Sequence, residues 1–250
     1  MSSRLRILIV DDDRNMTHTL ADILALKGHE TAEAASGPEA IEQARARTFD
    51  LVLSDIRMPG MNGVELHREL RRVQPGLPLV LMTAYAAKEL IRQGLEEGVI
   101  DAVDKPLDIQ RLLDFLDRLA ESRTITVVDD DPAFCQTLSD MLERSGFRVA
   151  TITDPYADVE QVVDEAQFIL LDIKSDHIGG EDALRRIRAR YPDLRGLLVT
   201  GYRQEMSTAM RSALELGAYP CLYKPLGIPE LLLTLAQVRL EQLRSAIKTG

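Results

Sequence analysis

The sequence predicts an α/β protein of two tandem domains, each a doubly wound parallel sheet with helices on both faces. Three observations carry this. Short apolar runs of strand length alternate with longer amphipathic stretches, the pattern of βαβ units. The chain also repeats itself, since Ile7-Leu8-Ile9-Val10-Asp11-Asp12-Asp13 returns as Ile125-Thr126-Val127-Val128-Asp129-Asp130-Asp131. Finally, the apolar runs end in the same polar residues in the same order both times. Leu51-Val52-Leu53-Ser54-Asp55 matches Ile169-Leu170-Leu171-Asp172, and Val80-Leu81-Met82-Thr83 matches Leu197-Leu198-Val199-Thr200. Lys105-Pro106-Leu107 matches Lys224-Pro225-Leu226. A repeat this long marks a duplicated domain rather than a solenoid unit.

The elements of the first unit follow in order. Arg4 to Val10 is a strand-like apolar run. Asn15 to Lys27 carries Met16, Leu20, Ile23, Leu24 and Leu26 at helical spacing, and Gly28 stops it. Glu30 to Ala35 is a short second strand, and Ser36-Gly37-Pro38 opens the next helix, with proline in its first turn. Leu51 to Ser54 is the third strand and Val64 to Val73 a helix, after which Pro75-Gly76-Leu77-Pro78 breaks the chain. Leu79 to Met82 is a strand, Lys88 to Glu97 a helix, Asp101 to Asp104 the fifth strand and Ile109 to Ala120 the last helix. The order then starts again, which sets the expected domains at 1–122 and 123–250. The final helix of the second unit is longer than its counterpart, with Leu233, Ala236, Leu240, Leu243 and Ile247 at three-four spacing. This is an ordinary amphipathic core helix or one that continues to a dimer partner or a further domain.

Bulk properties exclude several classes. The 250 residues are 45% hydrophobic and 28% charged, which is globular composition with room for two cores. No apolar stretch is long enough for a membrane span, and three aspartates interrupt the N-terminus at once, so a cytoplasmic protein is expected. Cys135 and Cys221 lie far apart and outside metal-ligand spacing, so reduced thiols are expected. A formal net charge of −10 disfavours direct nucleic-acid binding.

In the common doubly wound order, strands one and three are neighbours at the switch point. Asp11, Asp12 and Asp55 are therefore expected to converge in one crevice. Unpaired carboxylates there repel. A hard divalent cation with oxygen ligands, such as Mg²⁺, resolves the repulsion. Lys105 adds a fixed positive charge and Thr83 a hydroxyl. Together they describe a phosphoryl-group site, with Asp55 as nucleophile and Thr83 and Lys105 on the transferred group's oxygens.

These residues carry a resemblance. Val-Asp-Asp-Asp, then Ser54-Asp55-Ile56-Arg57-Met58-Pro59-Gly60-Met61-Asn62-Gly63, then Met82-Thr83-Ala84 and Asp104-Lys105-Pro106, resemble the CheY-like receiver domain of bacterial response regulators in two-component systems. The resemblance implies a flavodoxin-like (βα)5 fold. It implies that Asp55 is phosphorylated by a histidine kinase or histidine phosphotransfer protein, and that Asp12, Asp55 and the Arg57 carbonyl bind Mg²⁺, with Asp11 acting through water. The domain would be a phosphoacceptor that switches protein–protein interactions, not an enzyme with turnover of its own.

The second unit resembles the same family. Asp129 and Asp130 match the acidic pair, Asp172 the phosphoacceptor, Thr200 the hydroxyl and Lys224 the lysine; Lys174 takes the place of Arg57. The departure is Lys174-Ser175-Asp176-His177, which removes a proline and adds a charge. Asp172 is still expected to accept a phosphoryl group; the alternative is a docking or dimerisation module. In both units the aromatic that often stands three residues before the lysine is absent, replaced by Ala102 and Cys221. Tyr85 and Tyr202 are either partial substitutes or surface aromatics.

Asp13 and Asp131 read as helix N-caps. His67 reads as an exposed helix histidine. Arg68, Arg71, Arg72, Arg185, Arg186, Arg188 and Arg190 read as solvated helix faces. A competing class is an aspartyl-phosphate hydrolase of the haloacid dehalogenase type, for which Asp11 and Asp13 have suitable spacing. The twofold fit of acid pair, central aspartate, threonine and Lys-Pro favours the receiver. A nucleotide cradle would need glycines where three aspartates stand. The chain reads as a double receiver in a phosphorelay or as the receiver part of a larger hybrid kinase or effector, with a homodimer as a further possibility.

Overall fold

The computed structural model describes residues 4–84, 87–121, 124–145, 147–153, 168–172, 189, 195–200 and 219–248. Two compact units are present: residues 1–120 with 239–250, and residues 121–238. The stretch 239–250, which the sequence pattern attaches to the second unit, thus groups with the first.

The first unit has strands β1 (Arg6–Val10), β2 (Glu30–Ala34), β3 (Leu51–Asp55), β4 (Leu79–Thr83) and β5 (Asp101–Asp104). They form one parallel sheet in the order β2-β1-β3-β4-β5. Helices α1 (Arg14–Leu26), α2 (Gly37–Ala46), α3 (Gly63–Val73), α4 (Lys88–Glu97) and α5 (Ile109–Glu121) complete it. Side chains alternate along a strand, so each strand feeds two cores. Leu8, Val10, Val52, Leu79 and Leu81 pack with Ala40 of α2 and Leu66 and Leu70 of α3. Ile7, Ile9, Leu51, Leu53, Val80 and Met82 pack with Leu20 and Leu24 of α1 and Leu116 and Leu119 of α5. Burial on both faces is why β3 and β4 read as continuous apolar runs.

The second unit repeats the plan with β6 (Thr124–Val128), β7 (Arg148–Ile152), β8 (Phe168–Asp172), β9 (Arg195–Thr200) and β10 (Tyr219–Tyr223). Their parallel order, β7-β6-β8-β9-β10, is equivalent to that of the first sheet. Described helices here are α6 (Pro132–Arg144) and α7 (Ile228–Lys248). Ile125, Val127, Phe168, Leu170 and Leu197 pack with Cys135, Leu138 and Leu142 of α6 and with Leu231, Leu235 and Val238 of α7.

Two expectations need correction. The stripe that α7 buries in its own unit is Leu231, Leu235 and Val238, while Leu233 is 45% exposed. Residues 231–233 are all leucine, so spacing alone fits more than one stripe. Further along, Leu243 is buried in the first unit's core, and Arg239 donates to the Leu119 carbonyl at 3.2 Å. His67 is also not exposed: it is 2% accessible, and its Nε2 lies 3.3 Å from the Glu97 carbonyl. Arg71 Nη1 donates to the same carbonyl at 2.9 Å, and Arg68 grips the Glu97 carboxylate with two hydrogen bonds. These α3 bases satisfy the C-terminal end of α4, a use of basic residues that a helical wheel does not reveal. Arg185, Arg186, Arg188, Arg190, Tyr85 and Tyr202 lie outside the described residues.

Candidate functional site

Register brings the first unit's stations together. Val10 pairs with Ser54 across β1 and β3, so Asp11 and Asp55 leave adjacent strand ends. Thr83 pairs with Asp104 across β4 and β5, which sets Lys105 beside Thr83. The Lys105 backbone N–H donates to the Thr83 carbonyl at 2.7 Å, tying the hydroxyl station to the lysine station. Lys105-Pro106 is a cis peptide, as is Lys224-Pro225.

The Lys105 ammonium hydrogen-bonds Asp11 Oδ2 and, at 2.5 Å, Asp55 Oδ1. Asp11 is 2% and Asp55 8% accessible. Burial opposes the lysine's charge, but the hydrogen bonds and negative charges of Asp11 and Asp55 outweigh it, and its pKa is raised. The other carboxylate oxygens face backbone donors: Asp11 Oδ1 accepts from Asp13 N at 2.9 Å, and Asp55 Oδ2 from Arg57 N at 2.7 Å. Thr83 is buried at the end of β4.

The loop after Asp55 is shaped by two features. Asn62 caps α3 and forms a capping box with Glu65. Gly63 begins the helix where a Cβ would stand 2.7 Å from the Asp55 carbonyl oxygen and 2.6 Å from Leu81 Cδ2. Only glycine lets α3 start this close to the end of β3. Sequence reasoning missed Ser54, whose fully buried hydroxyl donates to the Asp55 carbonyl at 2.9 Å. The available signal was one polar residue inside an apolar strand. Asp13 caps α1 by accepting from Asn15 N and Met16 N, as expected.

Two of the three expected carboxylates meet, while Asp12 is exposed in the loop beside them. The groups that could hold a cation are the carboxylates of Asp11, Asp12 and Asp55 and the Arg57 carbonyl, all hard oxygen donors that suit Mg²⁺ in kind. Here the Lys105 ammonium lies between the two buried carboxylates. Among the described residues no three acidic, histidine or cysteine side chains are gathered to hold a metal.

The second unit has the same register. Val128 pairs with Leu171, so Asp129 and Asp172 leave adjacent strands, and Tyr223 pairs with Thr200, so Lys224 follows beside it. Lys224 Nζ donates to Asp129 Oδ2 at 2.6 Å, and Asp129 Oδ1 accepts from Asp131 N at 2.9 Å. Asp131 caps α6 through Ala133 N and Phe134 N. The side chains of Asp172, Thr200 and Cys221, and all of Lys174, Asp176 and His177, lie outside the described residues. Lys224 Nζ also stands over the Phe134 ring, 4.0 Å from its centroid, a contact sequence reasoning missed. Cys135 is a buried free thiol. Burial and the nearby Asp129 push its pKa up.

The response regulator receiver domain family matches residues 7–117 and again 125–236. The chain belongs to the response regulator receiver family of two-component systems. It carries two receivers in tandem. A response regulator receiver protein of Anaeromyxobacter sp. is 37% identical over 197 residues, covering 78% of this chain and 82% of that protein. The transcriptional regulatory protein ZraR of Escherichia coli O157:H7 is 37% identical over 56% of this chain but only 31% of its own length. A CheY-like receiver domain protein of Methanospirillum hungatei is 31% identical over 47% of this chain and 97% of its own, with a TM-score of 0.44. Among the described residues no helix is long and apolar enough to cross a membrane.

Proposed function

We propose that both receivers accept a phosphoryl group on aspartate, Asp55 in the first and Asp172 in the second, from a histidine kinase or histidine phosphotransfer protein, in the cytoplasm. The observation that carries this reading is Lys105 Nζ bridging Asp11 and Asp55. A cation at hydrogen-bond distance from the acceptor carboxylate stands where a phosphoryl oxygen would need neutralising. In the transfer, an Asp55 oxygen bonds to phosphorus as the P–N bond of phosphohistidine breaks and the imidazole nitrogen leaves with the bond's electron pair. With acetyl phosphate the P–O bond breaks and acetate leaves.

Mg²⁺, held by Asp11, Asp12, Asp55 and the Arg57 carbonyl, and by Asp129, Asp130, Asp172 and the Lys174 carbonyl in the second receiver, would supply charge neutralisation. The chain's own groups do the rest. Arg57 N–H orients the Asp55 carboxylate, Lys105 exchanges a carboxylate partner for a phosphoryl oxygen, and Thr83 offers its hydroxyl. Thr200 and Lys224 take these roles in the second unit. The chain then acts by switched protein–protein contacts rather than by turnover. A second reading, in which the second receiver is a docking module, is favoured by the altered loop at Lys174-Ser175-Asp176-His177.

Intact-mass analysis after treatment with acetyl phosphate and Mg²⁺ tests both. Two additions, one lost in Asp55→Asn and the other in Asp172→Asn, are expected. One addition lost only in Asp55→Asn would leave the second receiver as a docking module. No addition at all would overturn the proposal.

A further inference from the structure

We propose that Phe134 is a positioning residue of the second receiver, acting through Lys224. The proposal rests on the reading of Asp172 as a phosphoacceptor. In the first unit the residue three past the cap Asp13 is Met16; in the second, the residue three past the cap Asp131 is Phe134. The two caps have the same geometry, each accepting from the second and third following backbone N–H groups. The α-helix therefore delivers these two side chains to equivalent places beside the acidic pair. Methionine has no charged-face quadrupole to offer an ammonium. Phenylalanine does, and Lys224 Nζ lies 4.0 Å from the ring centroid while donating to Asp129.

The lysine is 24% exposed, little more than the 18% of Lys105, so the ring is not merely screened by bulk water. A cation held by a ring face is stabilised there before any phosphoryl group arrives. Moving it toward a phosphoryl oxygen on Asp172 then gives up that contact. Lys105, with Met16 at the equivalent place, gives up no such contact. Phe134 thus slows phosphoryl uptake at Asp172 relative to Asp55, by about threefold to tenfold on the scale of a partly desolvated cation–π contact.

The test uses the full chain with Asp55→Asn, so that only Asp172 can be labelled. Acetyl phosphate with Mg²⁺ is the phosphodonor, intact mass gives the initial rate, and NMR of the Lys224 side chain reports its position over the ring. Phe134→Met is expected to raise the rate about threefold to tenfold and to remove the ring-current shift from the Lys224 methylene protons. Phe134→Tyr keeps the face and is expected to retain both wild-type values. Met16→Phe, in an Asp172→Asn chain, is expected to slow Asp55 by a similar factor and controls for any misfolding of Phe134 variants. Equal rates in wild type, Phe134→Met and Phe134→Tyr would overturn the proposal while leaving Asp172 a phosphoacceptor. A Lys224 shift that ignores Phe134→Met would overturn it too. No label on Asp172 in any of these variants would overturn the phosphoacceptor reading itself, and the role of Phe134 with it.

Discussion

In both receivers the lysine after the last strand donates to the aspartate that follows the first strand, Lys105 to Asp11 and Lys224 to Asp129, and in the second receiver Lys224 also stands over the face of Phe134 where the first has Met16 at the matching position. The backbone that carries them is the same: equal strand order, equal register between the first and third strands, equal aspartate caps and two cis Lys-Pro bonds. The comparison teaches that duplication fixes where the stations stand, while single neighbours set how each is used.

Removing the lysines should separate the receivers most. Lys105→Ala is expected to slow phosphoryl uptake at Asp55 about 100-fold, the usual effect of losing one charge-stabilising donor. Lys224→Ala is expected to slow Asp172 by a smaller factor, about tenfold, because the ring already competes for that ammonium. Initial rates by intact mass, each in a chain with the other acceptor changed to asparagine, would break the comparison if the two factors were equal.

Gly63→Ala tests the loop rather than the chemistry. Its Cβ would meet the Asp55 carbonyl and Leu81, so the first receiver should lose about 2–3 kcal/mol of stability, read by urea unfolding. Loss of both core packing and Asp55 labelling would tie the approach of α3 to the acceptor's position.

The helix caps should behave alike. Asp13→Ala and Asp131→Ala are each expected to cost about 1 kcal/mol, each in its own receiver. Unequal losses in urea unfolding would mean that the matching cap geometry hides unequal strain or solvation.

The smallest effect is an acid dependence confined to one receiver. His29 is 7% accessible, and burial lowers its pKa from 6.5 despite the opposing pull of Asp117. Its Nδ1 accepts from Leu5 N at 3.4 Å, which requires the neutral ring. The unfolded chain therefore binds the proton first as pH falls. The stability of the first receiver should be full above 6.5 and decline below it. The second receiver has Phe147 at the corresponding place and lacks this contribution. Unfolding at pH 7.5 and 5.5 in wild type and His29→Gln measures it, and an undiminished pH slope in His29→Gln would remove His29 as the cause.

Much of this was legible beforehand. The alternation of apolar runs and helices, the duplication, and the order of Asp11, Asp55, Thr83 and Lys105 can be read along the chain, because a parallel sheet buries its strands on both faces and leaves polar residues at their ends. The caps Asp13 and Asp131 were legible for the same local reason. What the sequence left open depends on which surfaces meet. His67 looked like a solvated histidine until α4 ended against it, and the three-four spacing read from Leu233 missed the stripe that the second unit's core selected, Leu231, Leu235 and Val238. Phe134 meets Lys224 only once the start of α6 is folded against the end of β10. Periodicity and caps are set by neighbours along the chain, so the sequence by itself determined them. The choice of which side chain faces a helix end, a ring or a carboxylate is made by residues distant in sequence, so only the tertiary structure decided it.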